Sequence, residues 1–205
     1  FFVSVCGIPP FISTLGMMTL LRGVILVYTK GSPIPIKSDA YKFFGKGSIA
    51  GIPVPVIIVF LLAHYILTQT SYGRSVYAVG GNREAARLSG IRVKTSEFLV
   101  YTLNGLMCGM AGLILTARLG SAQSTSGTGI EMDAIAAVIL GGTSLSGGVG
   151  FVLPTVVGAM IMGIIDNILT LMNVNPHATN IVKGAVILIA VLVDKKVKDL
   201  SAKAE

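Results

Sequence analysis

Charge is what this sequence has least of. Only 12% of its 205 residues are Asp, Glu, Lys or Arg, against about 25% in an average soluble domain. None of them falls within residues 1–21, 47–73, 98–117 or 134–165. Each of these runs is long enough for a helix across roughly 30 Å of hydrocarbon, which takes about 20 apolar residues. With 53% hydrophobic residues and a mean hydropathy of +0.81, the chain excludes a soluble single domain and excludes disorder. Sulfur and imidazole are nearly as rare. Cys6 and Cys108 lie in apolar runs, where a thiol behaves as a small hydrophobe, so neither a disulfide nor a metal is expected. His64 and His177 have no Cys, His or carboxylate at ligand spacing, which removes the usual zinc arrangements.

Catalytic patterns are missing too. No nucleophile and base stand together, so no catalytic residue is assigned and the chain is not read as an enzyme. A phosphate-binding loop needs a lysine after its second glycine, where the ammonium reaches the phosphates. Gly142 and Gly147 have that glycine spacing, but Gly148 stands where the lysine belongs; Gly45-Lys46 has the lysine, but position 40 is Ala. The chain therefore has no ATP site of this kind, and no cofactor is implied.

What the sequence does have is glycine and a basic balance. Its 25 Gly residues follow no triplet period, which excludes collagen and fits membrane helices that approach closely. Lys and Arg outnumber Asp and Glu by 16 to 9. No aromatic-interleaved nucleic-acid motif accompanies them, so no nucleic-acid partner is expected. The excess is read as basic loops on the cytoplasmic side of a membrane. Phe1 opens directly into an apolar stretch with no basic n-region, and the sequence reads as a fragment lacking an N-terminal part.

Along the chain, apolar spans are expected at about Ile8–Tyr28, Ile52–Thr70, Glu97–Ala117, Phe151–Met172 and Ala178–Val193. Prolines open the first two, at positions suited to a helix's first turn. Residues 29–51 read as an extramembrane loop with a short interfacial helix. Residues 71–96 read as the most basic loop, at a net +4, and 118–133 as a polar loop. Ala134–Leu140 is apolar but breaks at the glycine-rich Gly141–Gly150, so its helix is short for a crossing. Parity nevertheless requires this segment to cross if the 71–96 loop and the lysines of the 194–205 tail share the cytoplasmic side. The fold class is thus an all-α, polytopic transmembrane helical bundle with one short or broken helix. Residues 1–205 form a single transmembrane domain, with 71–96 as a cytoplasmic loop within it.

That basic loop contains a small amphipathic helix. Asn82 is placed to cap its N-terminus, Glu84 sits at the positive end of its dipole, and Gly90 suits a left-handed stop. Gly80, Gly81 and Gly90 let the chain turn sharply on either side. Ala85, Ala86 and Leu88 offer an apolar surface to a partner's groove.

Two long stretches resemble a known family. Tyr77-Ala-Val-Gly-Gly-Asn-Arg-Glu-Ala-Ala-Arg-Leu-Ser-Gly-Ile91 is similar to the cytoplasmic coupling segment of ribose-type ABC importer permeases. Glu131-Met-Asp-Ala-Ile-Ala-Ala-Val-Ile-Leu-Gly-Gly-Thr-Ser-Leu-Ser-Gly-Gly148 resembles their second signature. Leu20–Val24, Ser121–Gly129 and Val182–Asp194 extend the likeness over nearly the whole chain, as roughly the C-terminal two thirds of such a permease. Pro154, where glycine is usual, and Asp166-Asn167, where an Asn pair is common, depart from the pattern.

The resemblance implies a bacterial inner-membrane, multi-pass permease subunit that moves a monosaccharide. A second permease subunit, cytosolic ATP-binding subunits and an extracytoplasmic sugar-binding protein are its implied partners, with lipid around it. Gly80, Gly81, Asn82, Glu84, Ala85, Ala86, Arg87, Leu88, Ser89 and Gly90 become the expected ATPase-coupling residues. A charge near a bilayer's middle costs about 2.5–3.5 kcal/mol on insertion scales, so Asp166 and Asn167 are expected along the substrate pathway. Gln123, Asp133 and Thr143, which flank the broken crossing, are expected there as well. Arg22 and Lys183 lie nearer helix ends and are read as snorkelling. A nucleoside or branched-chain amino-acid permease and a passive small-solute channel remain the alternatives.

Overall fold

The computed structural model describes residues 1–38, 41, 45, 48, 49 and 52–204. Helix accounts for 72% of the described residues, and the β structure among them consists of two-residue strands. The interfacial helix expected within 29–51, and Lys46 of the rejected phosphate loop, fall largely outside the described residues. The chain divides into two compact units, Phe1–Gly127 and Thr128–Glu205.

In the first unit, α1 (Pro10–Thr29) begins on a proline and ends at Lys30, whose φ of 52° turns the chain out of the helix. Its threonine hydroxyls are satisfied internally. Thr14 donates to the Pro10 carbonyl and Thr19 to that of Leu15, so these side chains need no water in an apolar span. The strand β1 (Ile34–Pro35) pairs antiparallel with β4 (Ser121–Ala122), and β2 (Ser48–Ile49) pairs with β3 (Ile52–Pro53). α2 (Val54–Gln69) follows.

Here the structure corrects the sequence reading. Most of the stretch expected as a loop is helical: α3 (Ser71–Gly81) leaves α2 at a bend of 73°, α4 (Arg83–Leu88) follows, and α5 (Val93–Leu119) starts inside the supposed loop. The Thr70 hydroxyl makes the bend by accepting the Gly73 N–H at 3.1 Å, an N-cap on α3. Gly73 is required at that corner. A Cβ there would lie 2.6 Å from the Ile66 carbonyl oxygen and closer still to that of Leu67.

The second unit is built from α6 (Ile130–Leu140), α7 (Val152–Leu171) and α8 (Pro176–Ala204). α6 begins four residues earlier than expected, inside the supposed polar loop, and the expected charged tail is the continuation of α8. At eleven residues, α6 is about 16 Å long at 1.5 Å per residue, roughly half the hydrocarbon thickness. It packs against both α7 and α8. Ala136, Ala137 and Met162 form the buried centre, with Leu140, Ile165, Val186 and Ile187 around them.

The Gly141-Gly142 pair that ends α6 has two separate duties. Gly142 takes φ 78° and closes the helix, with its N–H on the Ile139 carbonyl and that of Thr143 on the Val138 carbonyl, the paired bonds of a Schellman stop. Gly141 lets α7 come close, since a Cβ there would meet the Thr155 Cα at 2.5 Å. Gly158 on α7 likewise faces the Ala137 carbonyl with no room for a Cβ.

Among the described residues, three helices are long and apolar enough to cross a membrane: α1, α5 and α7. The bent α2–α3 pair qualifies as a fourth, and α8 contributes a shorter apolar stretch, Ala178–Leu192. Large apolar side chains such as Phe11, Val27, Leu106, Leu113, Leu153 and Ile164 are exposed along these helices. That is the arrangement of a polytopic membrane bundle, in which lipid or further helices cover the apolar faces.

Candidate functional site

Two places gather the polar residues singled out from the sequence, one in each unit. The first is the elbow formed by α3, α4 and the start of α5. Asn82 Oδ1 accepts the backbone N–H groups of Glu84 and Ala85 at 3.1 and 3.0 Å, satisfying two of the donors a helix start leaves open. At the other end Gly90 takes φ 83°, its N–H on the Arg87 carbonyl and the Ile91 N–H on the Ala86 carbonyl. α4 is therefore fixed at one end by a side-chain cap and at the other by a left-handed backbone stop.

Its outer face is polar and charged. Arg87 and Glu84 pair at 2.5 Å, both side chains well exposed, and the hydrogen bond to Glu84 raises the guanidinium pKa above its ordinary value. Arg83 reaches across to Glu97 on α5 at 3.0 Å and anchors α4 to the span that follows. The apolar surface differs from expectation in one residue. Ala86 is 4% exposed and turns into the protein, leaving Ala85 and the 77%-exposed Leu88 as the outward apolar contacts.

The second place is an ion cluster across α6, α7 and α8. Lys183 Nζ donates to Asp133 Oδ2 at 2.8 Å and lies 2.9 Å from Asp166 Oδ1. Helical spacing puts it there. Asp133 lies three and four residues before the core residues Ala136 and Ala137, Asp166 four after Met162, and Lys183 three and four before Val186 and Ile187. Residues three and four apart share a helix face, so the face that buries each helix's core residue also turns its ionised residue inward.

The cluster changes the reading of Lys183. Its side chain is 18% exposed and held by two carboxylates. One ammonium against two carboxylates leaves a formal net charge of −1, and Asp133 Oδ1 is shut off from solvent with no donor. Sequence reasoning selected both acids but missed the base. Its partner on α6 is fifty residues away, beyond any local pattern, although a lysine seven residues into an apolar helix was a signal that it needed an anion.

The remaining pathway expectations scatter. Asn167 is exposed on α7, Thr143 belongs to the stop that ends α6, and Gln123 lies in the first unit just after β4. Within the second unit the structure joins Asp133 and Asp166 through Lys183.

Apolar spans, a short half-length helix and a capped elbow define a polytopic membrane protein of the transport-permease type. The family described as branched-chain amino acid transport system / permease component matches residues 1–191, and the chain belongs to that family. The ribose import permease protein RbsC of Escherichia coli (strain K12) is 53% identical over 193 residues, covering 91% of this chain and 60% of that protein. RbsC of Bacillus subtilis (strain 168) is 50% identical over 192 residues, with the same coverage of each. The xylose transport system permease protein XylH of E. coli (strain K12) is 48% identical over 151 residues, 72% of this chain and 38% of that protein. The chain spans about 60% of the length of the ribose permeases it matches. No solved structure matches it. Its place is the bacterial cell membrane, which it crosses more than once.

Proposed function

We propose that this chain is the larger part of the translocation subunit of an ABC importer for a monosaccharide, ribose or a related pentose or hexose. The observation that carries the reading is the likeness at about half identity to ribose import permeases of two distant bacteria, together with that to a xylose permease. The family description names branched-chain amino acids, which makes leucine the control substrate.

The chain's own chemistry supports a subunit that is driven from outside itself. A rigid, doubly capped α4 beside basic residues suits docking to a cytosolic ATP-binding subunit, with Glu84, Ala85, Arg87, Leu88 and Ser89 as the contact and Gly80, Gly81, Asn82 and Gly90 as its frame; Ala86 holds it from within. A second permease subunit covers exposed apolar helix faces, and an extracytoplasmic sugar-binding protein delivers the solute. Asp133 and Asp166 border the pathway, with Asn167, Gln123 and Thr143 as its further polar positions. A passive channel would have no use for so firmly built an elbow.

The test is uptake of labelled ribose in cells lacking their own ribose permease and supplied with the full-length protein and its neighbouring subunits. ATP-dependent uptake, competed by xylose and not by leucine, is expected. Uptake of leucine instead, or flux that survives ATP depletion, overturns the reading. Sidedness is checked by single cysteines: Asn175→Cys and Ser126→Cys should react with an impermeant thiol reagent from outside, and Ser89→Cys should not.

A further inference from the structure

The turn between α7 and α8 opens into a crevice of about 790 Å³, within the size range of small-molecule sites. Seven of the eight residues lining it are polar or charged, among them Asp166, Thr170, Asn173, Thr179, Asn180 and Lys183. Polar residues at a turn between membrane helices ordinarily serve only to meet water. Two features of this turn go further.

The first is depth. Asp166 lies five residues before the end of α7 and Lys183 seven residues after the start of α8, which places them about 8 and 10 Å along the helices from the turn at 1.5 Å per residue. The polar lining therefore runs from the rim down to a half-buried ion pair. The second is Asn173. It closes α7 with φ 53°, its N–H on the Thr170 carbonyl and that of Val174 on the Leu169 carbonyl. Glycine is the usual residue at such a stop because it has no Cβ to strain. Asparagine makes the same turn and adds a carboxamide to the lining.

We propose that this crevice is a binding site for a neutral polyhydroxylated solute, a monosaccharide in the importer reading on which the proposal rests. The lining has the matching chemistry. Amides and hydroxyls both donate and accept, as each sugar hydroxyl does, and the Thr170 hydroxyl, whose proton is directed to the Asp166 carbonyl, is left as an acceptor. On the floor, Asp166 Oδ1 is buried against Lys183, which leaves its other carboxylate oxygen, Oδ2, for a hydroxyl donor. Lys183 is already engaged by two carboxylates, so the floor presents no free cation for a sugar acid, a sugar phosphate or an amino-acid carboxylate.

Two variants of the full-length permease, assembled with its ATP-binding subunits and without the binding protein, test the assignment. Asn173→Gly removes the amide and eases the turn, so misfolding is no explanation for its effect; Asn180→Leu removes a second amide on a helix. Equilibrium binding of labelled ribose, with xylose, glucuronate and leucine as competitors, is measured for each. Wild type should bind ribose with competition by xylose alone, and each variant should weaken binding about five- to tenfold, the worth of about one hydrogen bond. Ribose affinity unchanged in both variants, or competition by glucuronate or leucine, overturns the crevice. The two readings separate cleanly. ATP-driven ribose uptake by wild type with unchanged binding in the variants removes the crevice alone, whereas a wild type that takes up no sugar removes the importer reading and the crevice with it.

Discussion

The elbow around α4 and the cluster on α6, α7 and α8 both contain paired charges, yet charge does opposite work in the two. In the elbow the Glu84–Arg87 pair is exposed on both sides, where ion pairs contribute about 0–1 kcal/mol. The shape there comes from the Asn82 cap and the Gly90 stop. In the cluster the Lys183 ammonium is largely enclosed and bridges three helices. Removing one partner of such a pair strands a charge, which costs far more than an exposed pair contributes. Charges in water decorate a shape made by the backbone, and charges within a membrane bundle help to set it.

The sharpest way to break this comparison is Lys183→Met, which leaves Asp133 and Asp166 facing each other without a cation. It should lower stability by about 3 kcal/mol, seen as lost membrane abundance and lost uptake. The triple change Lys183→Met, Asp133→Asn, Asp166→Asn should restore abundance, because no charge is stranded. Abundance unaffected by the single change would show that water reaches the cluster and solvates its carboxylates without the lysine.

Next in size is Gly158→Leu. Its Cβ has nowhere to go beside the Ala137 carbonyl, so α6 must part from α7 at a cost of about 1–3 kcal/mol. A lowered melting temperature of the detergent-solubilised protein measures it, and Gly163→Leu, on an open face of the same helix, should show almost none.

Asp166 separates structure from transport. Asp166→Asn should keep most function, since Lys183 retains Asp133 and the amide still hydrogen-bonds. If Asp166 borders the pathway as proposed, Asp166→Leu should insert as well as wild type and transport poorly for want of a polar partner. Normal transport by Asp166→Leu would leave the residue a purely structural role.

The smallest expected stability effects lie in the elbow. Asn82→Ala should cost about 1 kcal/mol by removing the cap. Glu84→Ala should leave stability almost unchanged, since its ion pair with Arg87 is exposed, while abolishing ATP-driven uptake at equal membrane abundance. Normal uptake in Glu84→Ala would count against docking at α4.

Much of the elbow was legible because its signals are local. Asn82, Glu84 and Gly90 announce a two-turn helix by identity and spacing alone. α3 was missed because its sequence, Ser71–Gly81, is too polar for the apolar pattern that marked the spans, and its start signal is a single threonine cap. The inward turn of Ala86 could not be read from a six-residue helix with alanines on adjacent faces. In the second unit the glycine pair at 141–142 was read as a break, which it is, but the need for two glycines appears only when Thr155 is seen against the first. The partnership of Lys183 with Asp133 is a product of tertiary packing, and composition placed the lysine without its counter-ions.

The 73° bend at Thr70 turns α3 into a crank. Pinned at the Gly73 corner and carrying α4 at its far end, its eleven residues make an arm of about 16 Å. Each degree of rotation at the corner sweeps the tip through about 0.3 Å, from the arm length that the helical rise sets. A swing of ten degrees, small for a helix joint, would carry α4 about 3 Å, a displacement of the order of a hydrogen bond's length. Force applied to that short helix would thus reach α2 as torque, with mechanical advantage on the side of whatever pushes it.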